Sequence, residues 1–323
     1  NKELLYDPDF FIFSALLSVA AAGFLALSGF SGTEGEGSFP PEGACMERGK
    51  KNFRMAVFSD FTDNLKSMEA VAEAINAAKP DFVLCLGDMV RRAEHADFRY
   101  VERKIRNSFK VPVYTVPGNW ARQHPGEWRN YREAFGADYY FFSYGDTLFL
   151  ALNTADKELS PEQLRFAEHI LETERPKFTR CVIFCHVPPR DPKEVGGHSM
   201  TEKGAGQMSG ILKKYPVDLL LCGHIHWFSD TFYAGRRMIT TPSSGQEIRD
   251  PENPMFGFVL LNFRADGSIC AEQRNVTPET SGDGAPFFRE VILKRSSWRI
   301  AAFAILCAGL SACALLFRKG WRG

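Results

Sequence analysis

The sequence predicts an α/β protein built on a largely parallel, buried sheet with a second, mixed sheet, carried between two apolar spans. Three observations predict it. From Phe53 onward, short apolar runs alternate with segments of helical spacing, the pattern of parallel strands covered by helices. From about residue 229 the pattern turns to strands alone. Two uncharged runs, residues 10–30 and 300–317, hold 21 and 18 residues, close to the roughly 20 that span a hydrocarbon core.

In chain order, the first run is read as an uncleaved anchor within residues 1–31. Its flank carries Lys2, Glu3, Asp7 and Asp9, not the positive n-region of a signal peptide, and it exceeds the usual apolar length of one. Ser14, Ser18, Ala22 and Ala26 fall on one face and let the span pack on its fellow or on another membrane protein. Residues 32–52, rich in Gly, Pro and Glu, read as a linker. A single domain is expected over 53–292. Its elements are a strand at 55–58, a helix at 66–78, a strand at 82–86, a helix at 98–109 and a strand at 111–116. Ser160, Pro161 and Gln163 form a capping box that opens a helix to about residue 174. Strands follow at 181–185, 219–222, 229–233, 237–241, 256–263 and 268–273. A second span at 298–318 carries a matching stripe of Ala304, Ala308 and Ala312, with Trp298 and Trp321 as interfacial aromatics. The tail residues Arg318, Lys319 and Arg322 favour a cytoplasmic C-terminus and hence an extracytoplasmic domain. The membrane bilayer is thus an expected partner.

The 323 residues carry 39 Lys+Arg against 39 Asp+Glu, a balance that speaks against a nucleic-acid partner held by the overall field. With 28 Phe the chain has ample material for a core. Of its eight cysteines, Cys85, Cys181, Cys185 and Cys222 sit in apolar strand-like runs and read as small buried residues, not as a disulfide framework.

Position carries the functional signal. Asp60, Asp88, Asn119, His186 and His224 each stand at the C-terminal end of a predicted strand, the edge where α/β sheets bind ligands. Carboxylate, amide oxygen and imidazole together suit Mn, Fe or Zn. The blocks are Ser59-Asp60-Phe61-Thr62, Gly87-Asp88, Gly118-Asn119-Trp120, Cys185-His186 and Gly223-His224-Ile225-His226. In composition and order they resemble the calcineurin-like metallophosphoesterases, whose blocks run Asp-x-His, Gly-Asp, Gly-Asn-His, a lone His and Gly-His-x-His. Residues 140–154 and the following Leu159–Gln163 segment resemble the purple-acid-phosphatase-like branch. The resemblance implies a four-layer α-β-β-α sandwich of two mixed sheets and a hydrolase acting on a phosphorylated substrate with a metal-activated water. It also implies the ligand set. Asp88 bridges two metals, Asp60 and His226 serve the first, and Asn119, His186 and His224 serve the second.

Two departures mark this chain. Thr62 stands where the family has the imidazole of Asp-x-His, and Asp63 is a remote replacement. The second metal position is therefore expected to bind tightly, the first weakly or not at all. Trp120 stands where the family has the histidine beside the leaving-group oxygen. An indole offers only an N–H donor; His124, four residues on, and His198 in a glycine-rich loop are the candidates to take its place. The alternative reading is a degenerate relative with a structural role in a membrane assembly.

Overall fold

Phe, Val, Leu and Cys runs that alternate with amphipathic segments leave the chain few options except strands buried on both faces. The computed structural model describes residues 44–277, apart from 123, 125, 194–196 and 251. The spans expected at 10–30 and 300–317 lie outside the described residues, as do residues 278–292 of the expected domain. Among those described, no helix is long and apolar enough to cross a membrane.

The strands are β1 (Cys45–Met46), β2 (Phe53–Phe58), β3 (Phe82–Cys85), β4 (Val113–Thr115), β5 (Tyr140–Tyr144), β6 (Thr147–Ala151), β7 (Arg180–Phe184), β8 (Leu219–Cys222), β9 (Ser229–Tyr233), β10 (Arg236–Thr240), β11 (Phe256–Phe263) and β12 (Ile269–Val276). They form a five-stranded sheet ordered β12-β11-β2-β3-β4 and a seven-stranded sheet ordered β1-β5-β6-β7-β8-β10-β9. Both sheets are mixed: β2, β3 and β4 run parallel, with β11 antiparallel to β2 and β12 antiparallel to β11, and β6, β7, β8 and β10 run parallel while β5 opposes β6 and β9 opposes β10. The described helices are α1 (Leu65–Ala78), α2 (His95–Ser108), α3 (Arg129–Phe135), α4 (Pro161–Thr173) and α5 (Glu202–Lys214).

Strand alternation sorts the side chains into layers. Phe82 and Leu84 of β3 point into the space between the sheets with Phe142, Phe149, Phe184 and Phe263. Phe142 and Phe149 stack at 4.9 Å between ring centroids, the offset geometry aromatic pairs prefer. Val83 and Cys85, on the other face of β3, meet Met68, Val71 and Ile75 of α1 and Phe98, Val101 and Ile105 of α2. In the second sheet Cys181, Ile183 and Cys185 meet Ile170 of α4 and Met208 and Leu212 of α5. Helix, sheet, sheet and helix therefore follow one another, with three apolar seams. The four strand cysteines are buried free thiols inside those seams.

Five elements, β1, β5, β6, α3 and α5, are absent from the sequence expectation. Within the segment expected as linker, Cys45 and Met46 pair with Ser143 and Tyr144 as the edge strand β1. Neither α3 nor α5 is signalled by apolar spacing. Helix α5 carries Gly204, Gly206 and Gly210, each costing about 1 kcal/mol against alanine in a helix. It forms nonetheless because Thr201 caps it through Gly204 N at 3.1 Å. Gly204 is also required there, since a Cβ would come within 2.2 Å of the Lys157 carbonyl oxygen.

Candidate metal centre

The C-terminal ends of β2, β3 and β4 in one sheet, and of β7 and β8 in the other, open at one edge. The loop after β2 is tied to the loop after β3 by backbone bonds from Asp60 N to Gly87 O (3.0 Å) and Thr62 N to Asp88 O (2.9 Å). Asp60, Asp88, His224 and His226 all have positive φ, at 58°, 50°, 68° and 59°. Each such non-glycine conformation costs on the order of 1–3 kcal/mol and persists only where surrounding contacts fix it. Close approach fixes it here. A Cβ on Gly118 would sit 2.1 Å from Asp88 Oδ1, and one on Gly87 would sit 2.6 Å from Gly118 N. The glycines before Asp88 and Asn119 are thus the condition for bringing those two side chains together.

The structure brings together all six residues singled out from the sequence. Asp88 is buried; its Oδ1 accepts from Trp120 N at 3.0 Å and its Oδ2 lies 3.3 Å from His186 Nε2. His186 donates from Nδ1 to the Leu86 carbonyl at 2.6 Å, which turns Nε2 toward Asn119 Oδ1 (3.0 Å) and Asp88. His224 stands with its ring centroid 5.0 Å from that of His186. Ligand atoms of Asp88, His186 and His224 all lie within 4.8 Å of one another, a group with the composition and spacing of a metal site. Beside it, Asp60 Oδ1 lies 3.4 Å from His226 Nε2, and His226 Nδ1 donates to the Glu247 carbonyl at 2.7 Å. A carbonyl can only accept, so both Leu86 and Glu247 fix the tautomer that leaves Nε2 facing the site.

Electrostatics sharpen the division of labour. Burial pulls the His186 pKa down, but the Asp88 carboxylate, assisted by Asp60 and the Leu86 carbonyl, outweighs it and raises the ring from 6.5 to about 9. Burial also opposes the shift at His226, where Asp60 wins and the pKa rises. Burial likewise works against ionisation of Asp60, yet His226, then His186 and the Ser59 hydroxyl, hold its carboxyl well below the usual range. His224 goes the other way: burial, reinforced by the neighbouring His186, drives it down to about 2, so it is neutral. Two buried atoms, His224 Nε2 and Asp60 Oδ1, have no hydrogen-bond partner. Leaving such atoms bare is costly. A neutral imidazole nitrogen and a carboxylate oxygen facing the same cluster are what a divalent cation would satisfy, so the residues fit a metal.

The two departures have structural roles. The Thr62 hydroxyl donates to the Asp88 carbonyl oxygen at 2.9 Å and accepts from the Gln246 amide, so its oxygen is already engaged. Asp63 Oδ1 accepts from Arg91 N at 3.2 Å, and burial raises the Asp63 pKa to about 6; it supports the loop after β3. Trp120 lies at the rim, 43% exposed. Of the two substitute histidines, His198 is brought to the site. Its ring centroid is 5.6 Å from that of His224, and Arg249 Nη1 sits 3.1 Å from its Nδ1. Burial, then Arg249, lowers its pKa. His124 is not among the residues that line the cleft.

That cleft, about 740 Å³, is also lined by Arg91, Arg122, Lys157 and Arg249. Asp156 pairs with Arg122 at 2.7 Å, and Glu247 stands 3.7 Å from Arg249. Gln246, Glu247 and Arg249 follow β10 in a segment whose sequence carries no motif; only the fold reveals that it closes the cleft. Arg249 had no signal beyond its charge.

The comparisons agree with the geometry. The family model described as calcineurin-like phosphoesterase matches residues 53–228, more than half of the chain. The chain is 27% identical over 242 residues to a 3′,5′-cyclic adenosine monophosphate phosphodiesterase, CpdA, of Escherichia coli, covering 68% of this chain and 86% of that enzyme. Among solved structures, purple acid phosphatase from yellow lupin (Lupinus luteus) seeds superposes with a TM-score of 0.59 at 19% identity over 73% of this chain. The chain spans about half of that enzyme, 54% of its length. The anchor in the inner membrane complex of Plasmodium superposes with a TM-score of 0.52 at 13% identity, over 75% of this chain and 95% of its own. At those identities the two structures establish a common fold. Matched family blocks, two mixed sheets and a metal-type cluster at the shared strand edge agree: the chain belongs to the calcineurin-like phosphoesterase family and is a hydrolase acting on ester bonds.

Proposed function

We propose that this chain is a membrane-tethered, metal-dependent phosphoesterase that hydrolyses a phosphomonoester, phosphodiester or pyrophosphate bond. The observation that carries the reading is the Asp88, His186 and His224 cluster, with ligand atoms within 4.8 Å of one another at the strand edge. Asn119 would complete that second position with its amide oxygen. Asp60 and His226 would hold the first, with Asp88 between the two. When bound, the metal supplies Lewis-acid polarisation of the phosphoryl oxygen and lowers the pKa of the attacking water. The chain's own side chains bind and orient. Leu86 and Glu247 lock two imidazoles, and the cationic walls of the cleft attract a phosphate and offset charge that builds on it. With Thr62 turned to Asp88 O and Gln246, the first position keeps fewer ligands and binds its ion more weakly.

Tethering rests on the apolar runs at 10–30 and 300–317, and an extracytoplasmic domain rests on the basic residues after the second. Purified full chain with Mn²⁺, tested on p-nitrophenyl and bis-p-nitrophenyl phosphate beside Asp88→Asn, examines the enzymatic part. Turnover that vanishes in the variant is the expected result; turnover that survives it overturns the assignment.

A second reading is favoured by the engaged Thr62 hydroxyl and by Trp120 in place of a proton-donating histidine. In it the chain is a decayed relative serving a structural role in a membrane assembly, a use compatible with the fold it shares with the Plasmodium anchor. A silent wild type whose activity returns in Thr62→His with Trp120→His would identify that case.

A further inference from the structure

Trp120 is one of only two large apolar side chains that are exposed among the described residues, and it stands at the mouth of the metal-type cluster. Its backbone is pinned, with N donating to Asp88 Oδ1 at 3.0 Å. The Arg91 guanidinium lies over its ring, 5.9 Å from the centroid, and the Arg91 backbone is itself held by Asp63. Neither Arg91 nor Lys157, both cleft residues, is matched by a carboxylate ion pair among the described residues. The site thus presents a flat, exposed aromatic surface with a cation over it, next to a cationic pocket. An indole stacks on a planar ring and cannot supply a proton to a departing alkoxide. Arg and Lys stabilise a departing oxyanion without protonating it.

We propose that Trp120, with Arg91, is a stacking platform for the base of a nucleotide, and that the substrates are nucleoside di- or triphosphates cleaved at the terminal anhydride. The substrate class rests on the phosphoesterase reading above; the platform does not. In the step, water adds to the terminal phosphorus and the P–O bond to the inner phosphate breaks. The electron pair stays on the departing phosphate oxygen, and one proton goes to solvent. A phosphate leaves readily as an anion, so cleavage of an anhydride does not depend on the proton that Trp120 cannot give to a ribose oxygen.

The test uses Mn²⁺-loaded full chain and isothermal titration of two non-hydrolysable probes, adenosine 5′-(β,γ-methylene)triphosphate and methylenediphosphonate. Trp120→Ala is expected to weaken the nucleotide probe about ten-fold or more and to leave methylenediphosphonate unchanged, because stacking is lost and phosphate contacts remain. Trp120→Phe retains most of the nucleotide affinity. Equal weakening of both probes, or of neither, overturns the platform. Phosphate release from ATP that exceeds release from AMP and hydrolysis of cyclic AMP supports the anhydride; the reverse order, or no release from ATP, overturns that half. The binding result stands or falls by itself, so an inactive protein that still loses nucleotide affinity in Trp120→Ala would refute the phosphoesterase reading and keep the platform.

Discussion

Metal-free protein should lose stability as the pH rises from 6.5 to 9, against the usual expectation for a domain rich in carboxylates. The cause is His186. Its pKa is raised from 6.5 to about 9 in the fold, so the folded chain holds a proton there that the unfolded chain has released. The contribution is fully present below pH 6.5 and is lost as pH climbs through about 9. At 1.36 kcal/mol per unit, the shift corresponds to about 3 kcal/mol. His226, whose pKa is also raised, acts in the same direction. Below 6.5 the sign reverses, because His224 titrates near 2 in the fold and the unfolded chain binds that proton first. Stability of the metal-free protein should therefore peak near pH 6.5. Metal loading inverts the upper limb: a ligating imidazole is neutral, so binding expels the His186 proton and affinity should rise about ten-fold per pH unit between 6.5 and 9. Denaturant unfolding in chelator at pH 5, 6.5, 7.5 and 9 measures the first effect, and Mn²⁺ titration across the same range measures the second. His186→Gln should flatten both upper limbs. Metal-free stability that is level or rising from 6.5 to 9 would refute the argument, as would a metal affinity indifferent to pH.

Other perturbations follow from the same geometry. Metal analysis of the purified full chain should find about one tightly held ion per chain, and Thr62→His should raise this toward two; two equally held ions in the wild type would contradict the weak first position. Asp88→Asn should lower metal affinity by about a hundred-fold or more, exceeding the usual loss for a supporting residue outside the ligand set, and calorimetry of Mn²⁺ binding reads it. Gly118→Ala, whose Cβ would meet Asp88 Oδ1 at 2.1 Å, should cost about 1–3 kcal/mol in unfolding and abolish tight metal binding, whereas Gly206→Ala in α5, with no atom within 4 Å of the added carbon, should retain it. Gln246→Ala, which frees the Thr62 oxygen, should leave the fold intact and change ion occupancy by less than Thr62→His does.

Much of the architecture is legible in the chain because buried parallel strands write themselves as short apolar runs. The runs at 82–86, 181–185 and 219–222 became β3, β7 and β8 within a residue at either end. Helix α4 was legible through its cap, where Ser160 accepts from Gln163 N at 3.2 Å. Helix α5 was not, since three glycines blur its apolar face and its stability comes from Thr201 and from packing on Lys157. Strand β1 was hidden for a related reason. Two residues carry no period, and Cys45 and Met46 become a strand only because β5 offers an open edge.

The sequence by itself determined which residues stand at strand ends and in what order, because strand periodicity and the following Gly, Asp, Asn or His are local signals. It also determined that Thr62 and Trp120 break the family pattern. Only tertiary structure decided what those breaks mean. Thr62 meets Gln246, 184 positions away in the chain, and Trp120 meets Arg91. His198 reaches His224 while His124 does not line the cleft. Those outcomes depend on which loops two separate sheets carry to a shared edge. Contacts between residues distant in sequence are set by packing of the whole core, and no window of the chain encodes them.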